Sequence, residues 1–405
     1  MTHHSPGALH IHSVFSDGTG TLEEIARDAR RAGLEWIGMT DHNTLAPTYR
    51  GFEGIHGGVV VIVGYEWTPD DGDHMLVYGE AAALGTEPLD PTLAPAEAIG
   101  ILGNRGALTH IAHPDERRGV AMPSLPPYPW HDWQVRGMRG IELWNFMSEW
   151  AERLTPRNRL LHALLPGTGL RGPSDRVLRW WDDLNRPVAG APFPVAHGGR
   201  VGAAEAPADS PADWPADAPA DSRADAVPGP GGSDEPRFAG GARLTVGVSG
   251  TDAHAFRVRA FGRTWTIFPY LQVFRAFTNY LLLDEPLPAD LEPARSAILR
   301  AIGEGRLYFA NRRLGDALGL EFTAGDSGGR HVGSGGWLPW KSGGAQVRAA
   351  SPLPASLRIL RDGEEIARTH GRTLAADAPG PGSYRVEAWR FGEPWAFTNP
   401  IALLS

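Results

Sequence analysis

Nine side chains with metal-ligating chemistry fall at the ends of short apolar runs. His10 and His12 sit two residues apart in ALHIHS. A strand of period two puts both imidazoles on one face, where they can hold one cation. Asp17 follows in Ser16-Asp17-Gly18, a tight turn able to bring a carboxylate back over the same strand end. His42 closes WIGMTDH beside Asp41, Glu66 follows VVVIVGY, His74 opens the next run, and His113 precedes Pro114. Asp252 and His254 close LTVGVSGTDAH. Six imidazoles and three carboxylates exceed the roughly four to six ligands that one divalent ion takes, so two or three ions are expected. Glu66 is the expected bridge, because a carboxylate offers two oxygens. A mixed N/O set without thiolate suits Zn, Mn or Fe better than Ca or a soft metal.

The elements that must carry these groups are legible in the spacing. Ala8–Ser13, Trp36–Thr40, Val59–Val63, His74–Tyr78, Ala107–His113, Gly140–Asn145 and Leu244–Ser249 read as buried strands. Thr21–Gly33, Ser148–Leu165, Asp175–Asn185 and Pro293–Gly303 read as helices, the first opening on Thr21 and Glu24 at capping-box spacing. Strands alternating with helices predict an α/β fold with a parallel sheet or barrel, whose site gathers at the carboxyl ends of the strands. His110 lies an odd number of residues from His113, so it is expected on the other face if the strand continues, as a core residue or one behind the ligands. His3, His4, His56, His131, His162 and His197 have no such context, and His3 and His4 fall in a terminus expected to fray. After residue 305 short alternating segments appear, with Asp362-Gly363 as a hairpin turn. The expected division is a barrel over 1–305 and a small all-β accessory domain over 306–405.

The composition narrows the function. The chain has 405 residues, 38 basic against 47 acidic, a net charge of −9, and no cysteine. Thiolate zinc sites, iron–sulfur clusters, disulfides and cysteine nucleophiles are excluded. An acidic chain with no basic run is not built for extended nucleic-acid binding. No apolar stretch approaches the ~20 residues of a membrane span, and MTHHSPGALHIHS has no apolar signal region, so the cytoplasm is the expected compartment. Between residues 201 and 241 eight acids stand against two arginines, among Ala and Pro, with Asp recurring every fourth residue. That stretch reads as a disordered acidic insert. Gly167-Thr168-Gly169-Leu170-Arg171-Gly172 matches a dinucleotide-binding pattern but follows a helix and precedes Pro173, so that context fails.

The segments His10-Ile11-His12-Ser13, Ser16-Asp17-Gly18, Thr40-Asp41-His42-Asn43, Ile111-Ala112-His113-Pro114 and Gly250-Thr251-Asp252-Ala253-His254 resemble, in order, the motifs of the PHP (polymerase and histidinol phosphatase) superfamily. Gly64-Tyr65-Glu66, Asp73-His74-Met75, Ile141-Glu142-Leu143-Trp144-Asn145 and Trp395–Pro400 resemble its CehA/McbA-type branch. The resemblance covers about residues 8–200 and 243–400. It implies a distorted (β/α)7 barrel with a C-terminal all-β accessory domain. It also implies a ligand partition: His10, His12, Glu66 and Asp252 on one ion, Glu66, His74 and His113 on a second, and Asp17, His42 and His254 on a third. Asp41 would lie behind the ligands, orienting one of them.

A water activated between two cations would attack phosphorus or a carbonyl carbon, with no protein nucleophile. Asp17, Glu66 and Asp252 are the candidate catalytic carboxylates, and Asn145, at a strand end, is a candidate substrate contact or structural cap. The leading expectation is a phosphoesterase acting on a small molecule. A carbamate, ester or amide hydrolase of the CehA/McbA type is the alternative, and a non-catalytic scaffold on a degenerate barrel the third. Arg117, Arg118, Arg139 and Arg171 are available to bind phosphate. Trp67, Trp130, Trp133, Trp144 and Trp150 are available to line an apolar site, although each tryptophan is more often core or packing than a substrate wall. The sequence leaves the oligomeric state open.

Overall fold

The computed structural model describes residues 2–118, 126–158, 161–162, 167, 170–188, 238–241, 243–260, 262–340 and 344–405. The strand ladders close on themselves around the first strand, His3–Ile11. It runs parallel to Trp36–Met39 and to Val246–Ala253. Trp36–Met39 pairs in parallel with Val59–Val63, which passes through Gly64 into Tyr65–Trp67. Gly64 is required there, because a Cβ would run into the carbonyl of Val77. Met75–Tyr78 then pairs antiparallel with Tyr65–Trp67 and with Leu108–Ile111. Gly140–Asn145 returns to parallel pairing with Leu108–Ile111 and Val246–Ala253, which closes the ring.

The antiparallel Met75–Tyr78 departs from the expected parallel order for a simple reason. Only residues 68–74 link it to the preceding strand, and a parallel crossover needs a dozen or more residues. Elsewhere the period-two pattern is obeyed. Trp36, Val60, Ile62 and Leu76 face an interior cluster with Leu9, Val246 and Val248. Ile37, Met39, Val59, Val61 and Val63 face outward against the helices Leu22–Arg31, Pro95–Asn104 and Asp175–Leu184. Both faces are buried, as in parallel sheets covered by helices.

The helix Leu22–Arg31 begins where its sequence says. The Thr21 side chain accepts from the Glu24 amide at 3.4 Å, and Glu24 Oε2 accepts from the Thr21 amide at 3.1 Å. Thr21→Ala removes one of these bonds and should cost about 1 kcal/mol. A urea midpoint indistinguishable from wild type would count against this cap.

The amino terminus does not fray. His3–Gly7 pairs antiparallel with Phe277–Leu283, His3 reaches Glu35 at 3.1 Å, and His4 Nδ1 meets the Tyr308 hydroxyl at 3.0 Å. Through Phe277–Leu283 the sheet continues into Leu307–Asn311, Glu393–Thr398, Gly382–Arg390 and Ala345–Arg361. The C-terminal β segments are therefore hydrogen-bonded to the first strand through an unbroken series of ladders. The Asp362-Gly363 turn joins Ala345–Arg361 to Glu364–Asp377, with φ of 51° and 88°. The acidic insert lies outside the described residues up to 237. Its expected end at 241 is four residues too late, because Phe238 is buried with Leu244, Ala402 and Leu404 and bridges to Pro187. No helix among the described residues is long and apolar enough to cross a membrane.

Candidate metal centre

All nine sequence-identified ligands meet at one end of the ring of strands. The backbone turns sharply where it delivers them. His10, His113 and Asp252 have φ of 64°, 28° and 51°, the left-handed region that non-glycine residues avoid. Such strain costs roughly 1–3 kcal/mol per residue and persists only where the surroundings enforce it.

Glu66 stands at the middle. Its Oε2 lies 3.4 Å from both His10 Nε2 and His12 Nε2, and Asp252 Oδ1 lies 3.5 Å from the same two nitrogens. Glu66 Oε1 lies 3.1 Å from His74 Nδ1 and 3.2 Å from His113 Nε2. On the third side, Asp17 Oδ1 lies 3.0 Å from His254 Nε2 and 3.6 Å from His42 Nε2, with His12 Nδ1 at 3.7 Å. The Asp17 side chain is 55% exposed, so this side opens to solvent.

These groups fit divalent cations. His10 Nε2, His12 Nε2 and Glu66 Oε2, which face one another, are buried polar atoms with no hydrogen-bond partner. Burying such atoms unsatisfied is costly. Donors arranged tetrahedrally at about 2.1 Å from a metal lie about 3.4 Å apart, which matches the four contacts of 3.4–3.5 Å among His10, His12, Glu66 and Asp252.

The imidazoles are aimed by groups behind them. His10 Nδ1 donates to Glu142 Oε1 at 2.8 Å, and His254 Nδ1 donates to the Asp252 carbonyl at 2.8 Å. Thr68 gives its own proton to the Glu66 carbonyl, so its oxygen accepts from His42 Nδ1 at 2.8 Å. Each contact keeps a proton on Nδ1, so Nε2 is the nitrogen that would give its lone pair to a cation once the ring is neutral. Asp41 accepts from the Ser13 amide and hydroxyl and from the Ser16 hydroxyl at 2.6–2.8 Å, fixing the turn that carries Asp17.

The local field favours positive charge. Burial works to raise the Glu66 pKa, but His10, His42 and His74 hold it well below the carboxylate range. Burial works against charge on His42, yet Glu66 and Asp17 hold its pKa up at about 10. His12 is pushed well below its ordinary value by burial and by His254 and His42, so it stands as a neutral, ligating imidazole.

Other candidates fall elsewhere. Asn145 caps the helix Phe146–Arg153 through the Ser148 amide at 2.8 Å and donates to Glu142 Oε2 at 2.8 Å, so its side chain is committed to the fold. Arg139 is partly buried and donates to the Gly303 carbonyl. Arg117 and Arg118 pair with Asp115 and Glu116. Trp67, Trp130, Trp144 and Trp150 are core residues, while Trp133 is only partly buried and packs against Trp180. His110 pairs with Leu76 in the ladder and is fully buried beside Tyr78, in line with its expected core position. Two residues escaped the sequence reading. Tyr128 stacks on His74 with centroids 4.9 Å apart, and no spacing signals it. Glu142 is buried among the ligands, and its one signal is an acid inside the apolar run Ile141–Trp144.

A family model described as PHP domain matches residues 8–89. That match includes His10, His12, Asp17, His42, Glu66 and His74, and leaves His113, Asp252 and His254 beyond its end. The chain is 36% identical over 90 residues to phosphoribosyl 1,2-cyclic phosphate 1,2-diphosphodiesterase of Eggerthella lenta, an alignment covering 21% of this chain and 33% of that protein. It thus spans about a third of the length of the curated relative it matches. Among solved structures, a two-domain Bacteroides vulgatus protein containing a predicted PHP-like metal-dependent phosphoesterase is 12% identical, with a TM-score of 0.40 over 98% of this chain and 95% of that one. PsfC of Pseudomonas syringae is 11% identical, with a TM-score of 0.37 over 74% of this chain and 96% of that one. Identities and scores this low leave the activity to be argued from the side chains themselves.

Proposed function

We propose that this chain, with its PHP domain match over residues 8–89, is a metal-dependent phosphoesterase acting on a small phosphorylated molecule. The observation that carries the reading is the convergence of five imidazoles, His10, His12, His42, His74 and His113, on the two oxygens of one buried carboxylate, Glu66, with Asp17, Asp252 and His254 grouped around the same imidazoles. His10, His12, Glu66 and Asp252 would hold one divalent ion, Glu66, His74 and His113 a second, and Asp17, His42 and His254 a third. Cations held there would acidify a water near neutral pH and polarise a phosphoryl oxygen. Glu66 fixes the spacing of two subsites, and Asp252 closes the first. Asp17, the exposed carboxylate of the set, is placed to exchange protons with solvent. The closed ring of ladders supports a distorted (β/α)7 barrel. The β-rich segment after residue 305 is proposed as an accessory domain that shares the barrel's first sheet.

The test is a screen of chelator-stripped protein reloaded with Zn²⁺, Mn²⁺ or Fe²⁺. The substrates are p-nitrophenyl phosphate, a nucleoside 3′,5′-bisphosphate and 1-naphthyl N-methylcarbamate. Metal-dependent phosphate release from either phosphoester, with the carbamate untouched, is the expected result. Cleavage of the carbamate alone would reassign the site to acyl transfer, and full turnover without metal would end the mechanism.

A further inference from the structure

Glu142 lies directly behind the ligands, on the strand Gly140–Asn145, and is only 1% exposed. Three donors converge on its carboxylate. His10 Nδ1 meets Oε1 at 2.8 Å, while the His113 backbone amide and Asn145 Nδ2 each meet Oε2 at 2.8 Å. Among the described residues its charged-pair partner is His10. A buried carboxylate with no arginine or lysine beside it is costly, so its retention requires compensation from the imidazole and from whatever the ligands hold. Nearby packing keeps it in place: a Cβ on Gly250 would collide with its Oε1.

The two oxygens serve two different subsites. Oε1 takes the proton on His10 Nδ1 and leaves Nε2 to ligate beside His12 and Asp252. Oε2 holds the amide of His113 in its left-handed conformation, φ 28°, from which the ring reaches Glu66 Oε1. Asn145, held by the same Oε2, reaches Asp252 Oδ2 at 3.4 Å. We infer that Glu142 is a positioning residue that sets the ligating form of His10 and the placement of His113 together, so that one carboxylate organises two adjacent cation subsites. This rests on the metal reading above.

Glutamine is the discriminating substitution because it keeps the shape. If its amide nitrogen faces His10, that ring must accept at Nδ1 and carry its proton on Nε2, where it cannot ligate. If the nitrogen instead faces Oε2's partners, it opposes two donors, the His113 amide and Asn145. Neither orientation satisfies both subsites. Groups behind metal ligands typically matter by about 10–100-fold in affinity.

The experiment uses the full chain, stripped by chelator and titrated with Zn²⁺ against a competing chromophore, with Co²⁺ absorption as a second readout. Folding is checked by circular dichroism before metal is added. Glu142→Gln should weaken two ions by about 10–100-fold and change the Co²⁺ spectrum. The subsite of Asp17, His42 and His254 should keep wild-type affinity. Gly250→Ala, which displaces the same carboxylate from outside, should weaken the same two ions and carries the test if Glu142→Gln does not fold. Wild-type affinities in the folded variants would overturn the inference and leave the metal reading standing. Failure of the wild-type protein to bind Zn²⁺ would overturn both. Unfolding of both metal-free variants would also overturn it, because the carboxylate would then hold the fold rather than the ligands.

Discussion

Glu66→Ala should lower metal-dependent turnover by about 10³-fold or more and should reduce the bound metal at two subsites at once. The size follows from what the carboxylate touches. Its Oε2 faces His10 and His12 at 3.4 Å, and its Oε1 faces His74 and His113 at 3.1 and 3.2 Å. Lewis-acid stabilisation of a phosphoryl transition state is worth several kcal/mol, and about 1.4 kcal/mol is a decade in rate. His74→Ala makes the contrast, since it removes a donor from one subsite only and should cost less metal. Metal content by mass spectrometry and single-turnover kinetics on both variants decide the matter. Equal metal loss in the two would show that Glu66 does not bridge.

The candidate ligands were legible because most are polar residues at the ends of apolar runs, and strand ends in an α/β sheet share one side of the fold. His10-x-His12 and Asp252-x-His254 are local in sequence, so their spacing marks them, while left-handed turns at His10 and Asp252 set their final placement. Glu142 is different. Its partners His10 and His113 come from distant stretches of the chain, only Asn145 shares its strand, and its acid character is hidden inside Ile141–Trp144. The ordered terminus was hidden for the same reason. His3–Gly7 acquires its strand from Phe277–Leu283, some 270 residues away, and Pro6 within it argues locally against a strand. The antiparallel Met75–Tyr78 was readable in principle from the length of the loop before it. The tryptophans have a type that suits a substrate wall but is more common in packing, and Trp67, Trp130, Trp144 and Trp150 are core residues.

Arg385→Ala should destabilise the fold by about 3–5 kcal/mol, the usual consequence of stripping one member from a buried ionic group. Arg385 is 3% exposed. It grips Asp182 with two bonds of 2.7 and 2.9 Å and reaches Glu387 at 2.6 Å. Burial opposes its charge, but Asp182 and Glu387 hold its pKa above the ordinary arginine value. Removing the guanidinium leaves two buried carboxylates. Glu387 retains Trp389 Nε1 at 3.3 Å, whereas Asp182 is left against Gly363 of the β-turn. Asp182 belongs to the helix Asp175–Leu184, and Arg385 to the strand Gly382–Arg390, so the group ties the C-terminal sheet to the barrel's outer layer. Replacing Asp182, Arg385 and Glu387 together with apolar residues of similar volume should return stability to within about 1 kcal/mol of wild type, since the desolvation cost disappears with the charges. Urea denaturation of both variants is the measurement, and an Arg385→Ala midpoint equal to wild type would refute the clamp. The effect should extend to the metal centre. Trp181 of the same helix packs over Gly247 beside Leu143, and Leu143 is the chain neighbour of Glu142. A helix loosened at Asp182 would therefore release the strand that aims His10 and His113. Weakened Zn²⁺ binding should thus accompany the lost stability in Arg385→Ala and recover in the triple apolar variant.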